Sequence, residues 1–187
     1  MKNIFFTADQ HFGHKKILEY ANRPFSTIDE MDEELIKRWN QKVSPEDEVY
    51  HLGDVGLCSS GKLRKILNRL NGKIYLIKGN HEKSAEACHT RFEWVKDYHE
   101  LVVEDPDAAR GTQLLVLFHY AMRVWNAGHW GTYHLYGHSH GSLPDDPNSR
   151  SFDVGVDCHD YAPVSYEEVK AIMNKKTWTP PFAKRSL

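Results

Sequence analysis

The stretch Ile4-Phe5-Phe6-Thr7-Ala8-Asp9-Gln10-His11 is a short apolar run that stops on a carboxylate and an imidazole. A run of this length is that of a buried strand rather than a helix. The pattern recurs twice: Glu48 to Leu52 leads to Gly53-Asp54, and Lys73 to Lys78 leads to Gly79-Asn80-His81-Glu82. Helical stretches lie between. His14 opens one with Ile17, Leu18 and Ala21 on one side, and Asn22-Arg23-Pro24-Phe25 follows as a loop, because proline pushes its predecessor out of helix. Thr27 with Glu30 reads as a capping box before a helix that carries Met31, Leu35 and Trp39 as a core stripe and ends at Ser44-Pro45. Ser60 caps the next, which buries Leu63, Ile66, Leu67 and Leu70 and closes at Asn71-Gly72. Strand, helix, strand, helix, strand favours parallel pairing with right-handed crossovers. Ligands of such sheets bind beyond the carboxyl ends of the strands, where all three polar clusters fall.

The second half changes rhythm. Tyr98 to Val103, Thr112 to Phe118, Thr132 to Tyr136 and Ser151 to Val156 read as strands. Glu104 to Gly111 reads as a hairpin loop. Ser165 with Glu168 makes a second capping box, ahead of a helix that buries Val169, Ile172 and Met173. Two further polar clusters follow apolar runs here, Phe118-His119 and Gly137-His138-Ser139-His140. In an extended backbone alternate side chains share a side, so Asp9 with His11, and His138 with His140, would each reach one small volume.

The 187 residues suggest one domain, residues 1–187, with an irregular tail from about residue 177, and a 40% hydrophobic fraction suffices for one core. No apolar run is long enough for a membrane span. The N-terminal apolar patch is broken at once by Thr7 and Asp9, unlike a secretory signal. A net charge of −2 argues against a dedicated duplex nucleic-acid binder but leaves room for a nucleotide. Cys58, Cys88 and Cys158 show no CxxC spacing and read as buried thiols in a reducing compartment, so the protein is expected in the cytoplasm. Twelve histidines are the unusual count and suggest a metal or proton-transfer site.

Carboxylate and imidazole together suit a borderline divalent metal. Asp54 follows a glycine that lets backbone approach closely, and one carboxylate can bridge two cations about 3.5–4 Å apart. Asn80 offers a neutral carbonyl oxygen. Each also has a structural alternative: Asp9 capping a helix with His11 packed beside it, Asp54 in an Asx turn, Asn80 in a strand-end turn, His119 as a hydrogen-bonded core residue. His51, inside a strand, reads as structural.

Asp9-x-His11, Gly53-Asp54, Gly79-Asn80-His81, His119 and Gly137-His138-Ser139-His140 together resemble the calcineurin-like metallophosphoesterase superfamily, over about residues 3 to 157. Asp9-Gln10-His11-Phe12-Gly13-His14, followed by Asn22-Arg23-Pro24-Phe25, is similar to a compact bacterial and phage branch of it. The resemblance implies an α/β fold, a four-layer α/β/β/α sandwich with mixed sheets. It implies two divalent metal ions (manganese, favoured here, iron, nickel or zinc). One would be held by Asp9, His11, Asp54 and His140, and the other by Asp54, Asn80, His119 and His138, with Asp54 as the bridge. The implied activity is hydrolysis of a small phosphodiester, a nucleotide, cyclic nucleotide or nucleic-acid end, by attack of metal-bridged hydroxide. A phosphomonoesterase and a non-hydrolytic binding module on the same fold are the alternatives. His81, outside the ligand pattern, is the candidate general acid, with a role in orienting the site as its alternative. Arg123, Arg23 and His14 are candidates for holding substrate phosphate, against a bland reading as surface groups. Tyr120, Trp125, Trp130 and Tyr133 could stack a base or pack as a lid, and packing is the expectation.

Overall fold

Alternation along the strands splits the apolar residues into two cores. A computed structural model describes residues 2–180 of the chain. β1 (Ile4–Thr7), β2 (Glu48–His51), β3 (Lys73–Ile77) and β4 (Phe92–Lys96) run parallel, and β9 (Val164–Ser165) closes the edge antiparallel to β1, giving the order β4-β3-β2-β1-β9. Phe5, Val49 and Ile74 face one way, where α1 (Ile17–Tyr20), α2 (Ile28–Lys42) and α3 (Ser60–Leu67) lay Ile17, Met31, Leu35, Trp39, Leu63 and Leu67 on them. Phe6, Tyr50, Leu52 and Ile77 face the other way, into a second core. A strand buried on both faces is what a parallel sheet requires.

The second sheet has the order β5-β6-β7-β8. β5 (Tyr98–Glu104) and β6 (Thr112–Phe118) form a hairpin, and β7 (Tyr133–Tyr136) and β8 (Ser151–Asp153) continue parallel to β6. Leu115, Leu117, Leu135 and Phe152 pack from it against the first sheet. The protein is thus an α/β sandwich of two mixed sheets with flanking helices. α5 (Tyr166–Asn174) follows β9 and sends Val169 and Met173 between the sheets. The residues after His119 cover part of the second sheet's far side. The Trp125 ring lies 5.3 Å from that of buried His134, and its indole N–H donates to the Thr132 carbonyl.

Several local expectations shift. The helix expected after His14 is only the single turn α1, and Ser59, not Ser60, caps α3. α3 ends at Leu67, so Asn71-Gly72 is no helix cap. Asn71 instead bonds Asn40 and the Val43 carbonyl, and Gly72, at φ +88°, turns the chain into β3. Thr27 accepts from the Glu30 N–H, but the Glu30 carboxylate accepts from Ser26, so that box is half formed. The Ser165–Glu168 box is complete. β8 stops at Asp153, because the next residues turn towards β1. β4, β9 and α4 (Lys83–Glu86) have no counterpart among the elements expected from the sequence. Cys158, expected buried, is exposed, whereas Cys88 is buried and all three thiols are free. No helix among the described residues is long and apolar enough to cross a membrane. Residues 177–180 lie outside any helix or strand, and the rest of the expected tail lies outside the described residues.

His51 ends β2, 1% exposed, with its ring near Trp39 and its Nδ1 accepting from the Gly53 N–H. Burial pushes the ring's pKa down to about 3. The folded ring therefore stays neutral where the unfolded one gains a proton near pH 6.5. Between those values the unfolded state binds the extra proton, so stability falls as pH drops. From pH 6.5 to 5, wild type should lose roughly 2 kcal/mol more stability than His51→Gln. Urea unfolding at both pH values measures this, and equal slopes would show that the ring is not held neutral.

Candidate metal centre

Backbone pairing brings the strand-end loops together. Asp9 N–H donates to the Gly53 carbonyl and His11 N–H to the Asp54 carbonyl, both at 3.0 Å, extending the β1–β2 pairing past the sheet. Val156 N–H reaches Ala8, and Gly137 N–H reaches His119. Close approach needs glycine at particular places. A side chain at Gly79 would collide with Asp54 Oδ1, and one at Gly137 with the Asp9 carboxylate and Ala8.

At the ligand positions the chain departs from extended geometry. Asp9, His11, Asp54, His138 and His140 have φ of 61, 52, 57, 68 and 47°. These left-handed conformations are uncommon for non-glycine residues and cluster at functional sites. Period two therefore does not explain how Asp9 and His11 converge. His138 and His140 do not share one volume but serve neighbouring ones.

The first cluster joins Asp9, His11 and His140, whose ligand atoms all lie within 4.8 Å of one another. Asp9 is fully buried and His11 is 3% exposed. Asp9 Oδ2 accepts from the His138 N–H at 2.8 Å, while Asp9 Oδ1 and His11 Nε2 are buried without hydrogen-bond partners among the described residues. Buried orphans of this kind call for an explanation. A cation suits both, because each presents a lone pair. Burial, then the charges of Asp153 and Asp54, hold the Asp9 carboxyl well above its ordinary pKa. Burial, then the neighbouring His140, push His11 down to about 2. A bound cation would reverse the first effect and favour the second.

The second cluster joins Asp54, His119 and His138 within the same limit. His119 Nδ1 lies 2.7 Å from the Leu52 carbonyl, which fixes the proton there and leaves Nε2 as the ligand atom. Asn80 Oδ1 lies 3.0 Å from both His119 Nε2 and His138 Nδ1. Asp54 stands between the clusters, with Oδ2 3.5 Å from His11 Nε2 and Oδ1 3.7 Å from His119 Nε2. One carboxylate thus presents one oxygen to each side. The donor set of carboxylate, imidazole and amide oxygen fits divalent transition metals.

The substrate candidates separate. His14 packs on His11, with Nδ1 to Nδ1 at 3.2 Å, at the margin of the site. His81 is exposed, its ring centroid 5.9 Å from that of His11, and its N–H donates to Asp54 Oδ1 at 2.9 Å. Arg123 is exposed on the loop after β6, with no hydrogen bond or ion pair among the described residues. Arg23 is not a surface group facing substrate: it is buried. Its Nε and NH2 hold the Asp157 carboxylate at 2.7 and 2.8 Å, and NH1 and NH2 reach the carbonyls of Gln10 and Asp9. Of the aromatic loop, Trp125 and Tyr133 pack, Trp130 is exposed, and Tyr120 sets its ring 4.7 Å from that of His138.

Three carboxylates escaped the sequence reading. Asp157 Oδ2 lies 2.7 Å from His140 Nδ1. Burial alone would raise the Asp157 pKa, but the hydrogen bonds from His140 and Arg23 leave it below its ordinary value. Buried Glu82 accepts from the N–H groups of Asp54 and Gly79, and burial pushes its pKa up to about 7. Asp153 accepts from Gly141 and Gly155 beneath the first cluster. Phe152-Asp153-Val154-Gly155-Val156-Asp157 repeats the apolar-run-then-acid signal, so Asp157 could have been read from it.

No family model matches the chain. A protein of Methanocaldococcus jannaschii described as uncharacterized is 34% identical over 182 residues, 94% of this chain and 93% of that protein. The Gene 66 protein of Mycobacterium phage D29 is 30% identical over 201 residues, 93% of this chain and 97% of the phage protein. The crystal structure of a protein of unknown function from Aquifex aeolicus covers 92% of this chain and all of its own, at TM-score 0.68 and 20% identity, a likeness of fold. Sequence identity sustained over more than nine-tenths of each partner makes the chain a member of the family that holds the Methanocaldococcus jannaschii protein and the phage D29 Gene 66 protein.

Proposed function

We propose that the protein is a phosphodiesterase of the calcineurin-like metallophosphoesterase type, working with two divalent cations, manganese favoured. The observation that carries this reading is the placing of Asp54 between two histidine-containing clusters, one oxygen towards each. Asp9, His11, Asp54 and His140 would hold one ion, and Asp54, Asn80, His119 and His138 the other. The pair would supply Lewis-acid neutralisation of the phosphoryl oxygens and acidify water.

The chain's own groups do the rest. His81 is tied to Asp54 through its N–H while its ring stays exposed, so it can present a proton to a leaving oxygen at the mouth of the site. His14 stiffens His11 and offers substrate a second imidazole. With Arg23 occupied by Asp157, the side chains lining the margin nearest His11 are imidazoles rather than a guanidinium. A monoester dianion would find less to offset its additional charge there, which favours the diester over the monoester. Arg123 is free to reach a non-bridging oxygen, and Tyr120 offers an aromatic face beside His138 to a nucleoside moiety.

Asp54→Asn should lose metal and activity together, since a neutral amide cannot offset two dications. Elemental analysis and steady-state turnover check it, and two retained equivalents with normal turnover would sink the shared-ligand reading. Hydrolysis of bis-p-nitrophenyl phosphate against p-nitrophenyl phosphate, with each metal added back, tests the substrate class. His81→Ala should be slower by about 10²–10⁴-fold on a nucleoside diester, whose alkoxide needs a proton, and much less impaired on a p-nitrophenyl diester. Equal loss on both would make His81 a phosphate-binding group. Arg123→Ala should lower kcat/KM by about 5- to 150-fold, the equivalent of roughly 1–3 kcal/mol, and an unchanged value would return it to the surface.

A further inference from the structure

The two clusters are not equivalent in what stands behind them. Behind the first is an ordered chain of charge. Arg23 places its guanidinium, with a side chain 0% exposed, on four oxygens: both carboxylate oxygens of Asp157 and the carbonyls of Asp9 and Gln10. Asp157 in turn lies 2.7 Å from His140 Nδ1. That contact keeps the imidazole proton on Nδ1 and leaves Nε2 as the lone-pair donor, and a carboxylate behind an imidazole makes it a stronger ligand. Grip on the Asp9 and Gln10 carbonyls holds the peptide units that carry Asp9 and His11 in their left-handed conformations. A single guanidinium therefore braces all three side chains of the first cluster, two through backbone and one through Asp157.

Behind the second cluster the partners are of another kind. His119 Nδ1 meets a neutral carbonyl, that of Leu52, and among the described residues no carboxylate stands behind either imidazole; buried Glu82 accepts from the N–H groups of Asp54 and Gly79 instead. Each cluster has a buried pair, Asp9 with His11 and Asp54 with His119; the third imidazole is half-buried in the first, His140, and exposed in the second, His138, as is Asn80.

We propose that Arg23 and Asp157 are a positioning pair that makes the first cluster the tight metal site and leaves the second the exchangeable one. This rests on reading the two clusters as metal sites, and it adds an order of affinity and its cause. The pair touches no substrate. Its effect runs through the orientation of His140 and through the backbone at Asp9 and Gln10.

The test is calorimetric titration of manganese(II) alone into chelator-stripped protein, with no substrate present. Wild type should show two binding steps, with His138→Asn weakening the weaker step alone. Asp157→Asn, nearly isosteric, should weaken the stronger step by about 10- to 100-fold, as loss of a carboxylate behind a ligating imidazole does, and leave the weaker step within about threefold. Arg23→Lys, which keeps the charge but not the fork, should do the same. If that buried variant fails to fold, Asp157→Asn decides the matter. Equal weakening of both steps would reduce the pair to general scaffolding and overturn the proposal, as would two unchanged steps. Wild type that binds no manganese would remove the metal reading and this inference together. Two steps in wild type without any ester hydrolysis would instead strike only the hydrolase reading.

Discussion

Left-handed backbone at Asp9, His11, Asp54, His138 and His140 is the constraint around which the molecule is arranged. Sparsely populated conformations cost roughly 1–3 kcal/mol each and persist only where the surroundings over-determine them. Here the surroundings are the extended β1–β2 pairing, the bonds from Val156 to Ala8 and from Gly137 to His119, and the buried side chains of Arg23 and Glu82. Two apolar cores fix the strands, and the strands deliver the loops. The return is that donor atoms from loops far apart in sequence meet in a space where no extended strand could have placed them.

Charge is the second organising quantity. Asp9, Asp54, Asp153 and Asp157 gather beneath one end of the sandwich, with Arg23 as the buried cation among them. Burial first, and then repulsion from Asp153 and Asp54, raises the Asp9 pKa, while burial alone raises that of Asp153. Imidazoles forced neutral by burial, His11 and His119, add lone pairs without adding charge. The region is short of positive charge, a condition that suits the binding of a cation.

The sequence was legible where side-chain type and apolar run length carry the information. The first three strands, the helices between them and the β5–β6 hairpin could be read from periodicity. The polar clusters stood out because each ends such a run. What could not be read was direction. A histidine does not announce a positive φ, so extended alternation was the natural but wrong geometry for both pairs. Nor does an arginine reveal that its partners are the carbonyls of Asp9 and Gln10, groups every residue possesses, so the sequence offers Arg23 only as a phosphate-binding candidate or a surface group. β9, two residues long, has too little sequence to show a period, and Phe92-Glu-Trp-Val-Lys96 mixes both faces of an edge strand.

The bonds that brace the first cluster span the length of the chain. Arg23 to Asp157 bridges 134 positions, and His138 to Asp9 bridges 129. Contacts of such long separation form late, after the loops between them have closed. A ribosome must therefore deliver Asp157 before Arg23 finds its partner, by which point β1 to β8 have all emerged. The brace on the first cluster is therefore completed only at the end of synthesis: a chain stalled before Asp157 carries Asp9, His11 and His140 without the carboxylate that orients His140 and without the partner that seats Arg23.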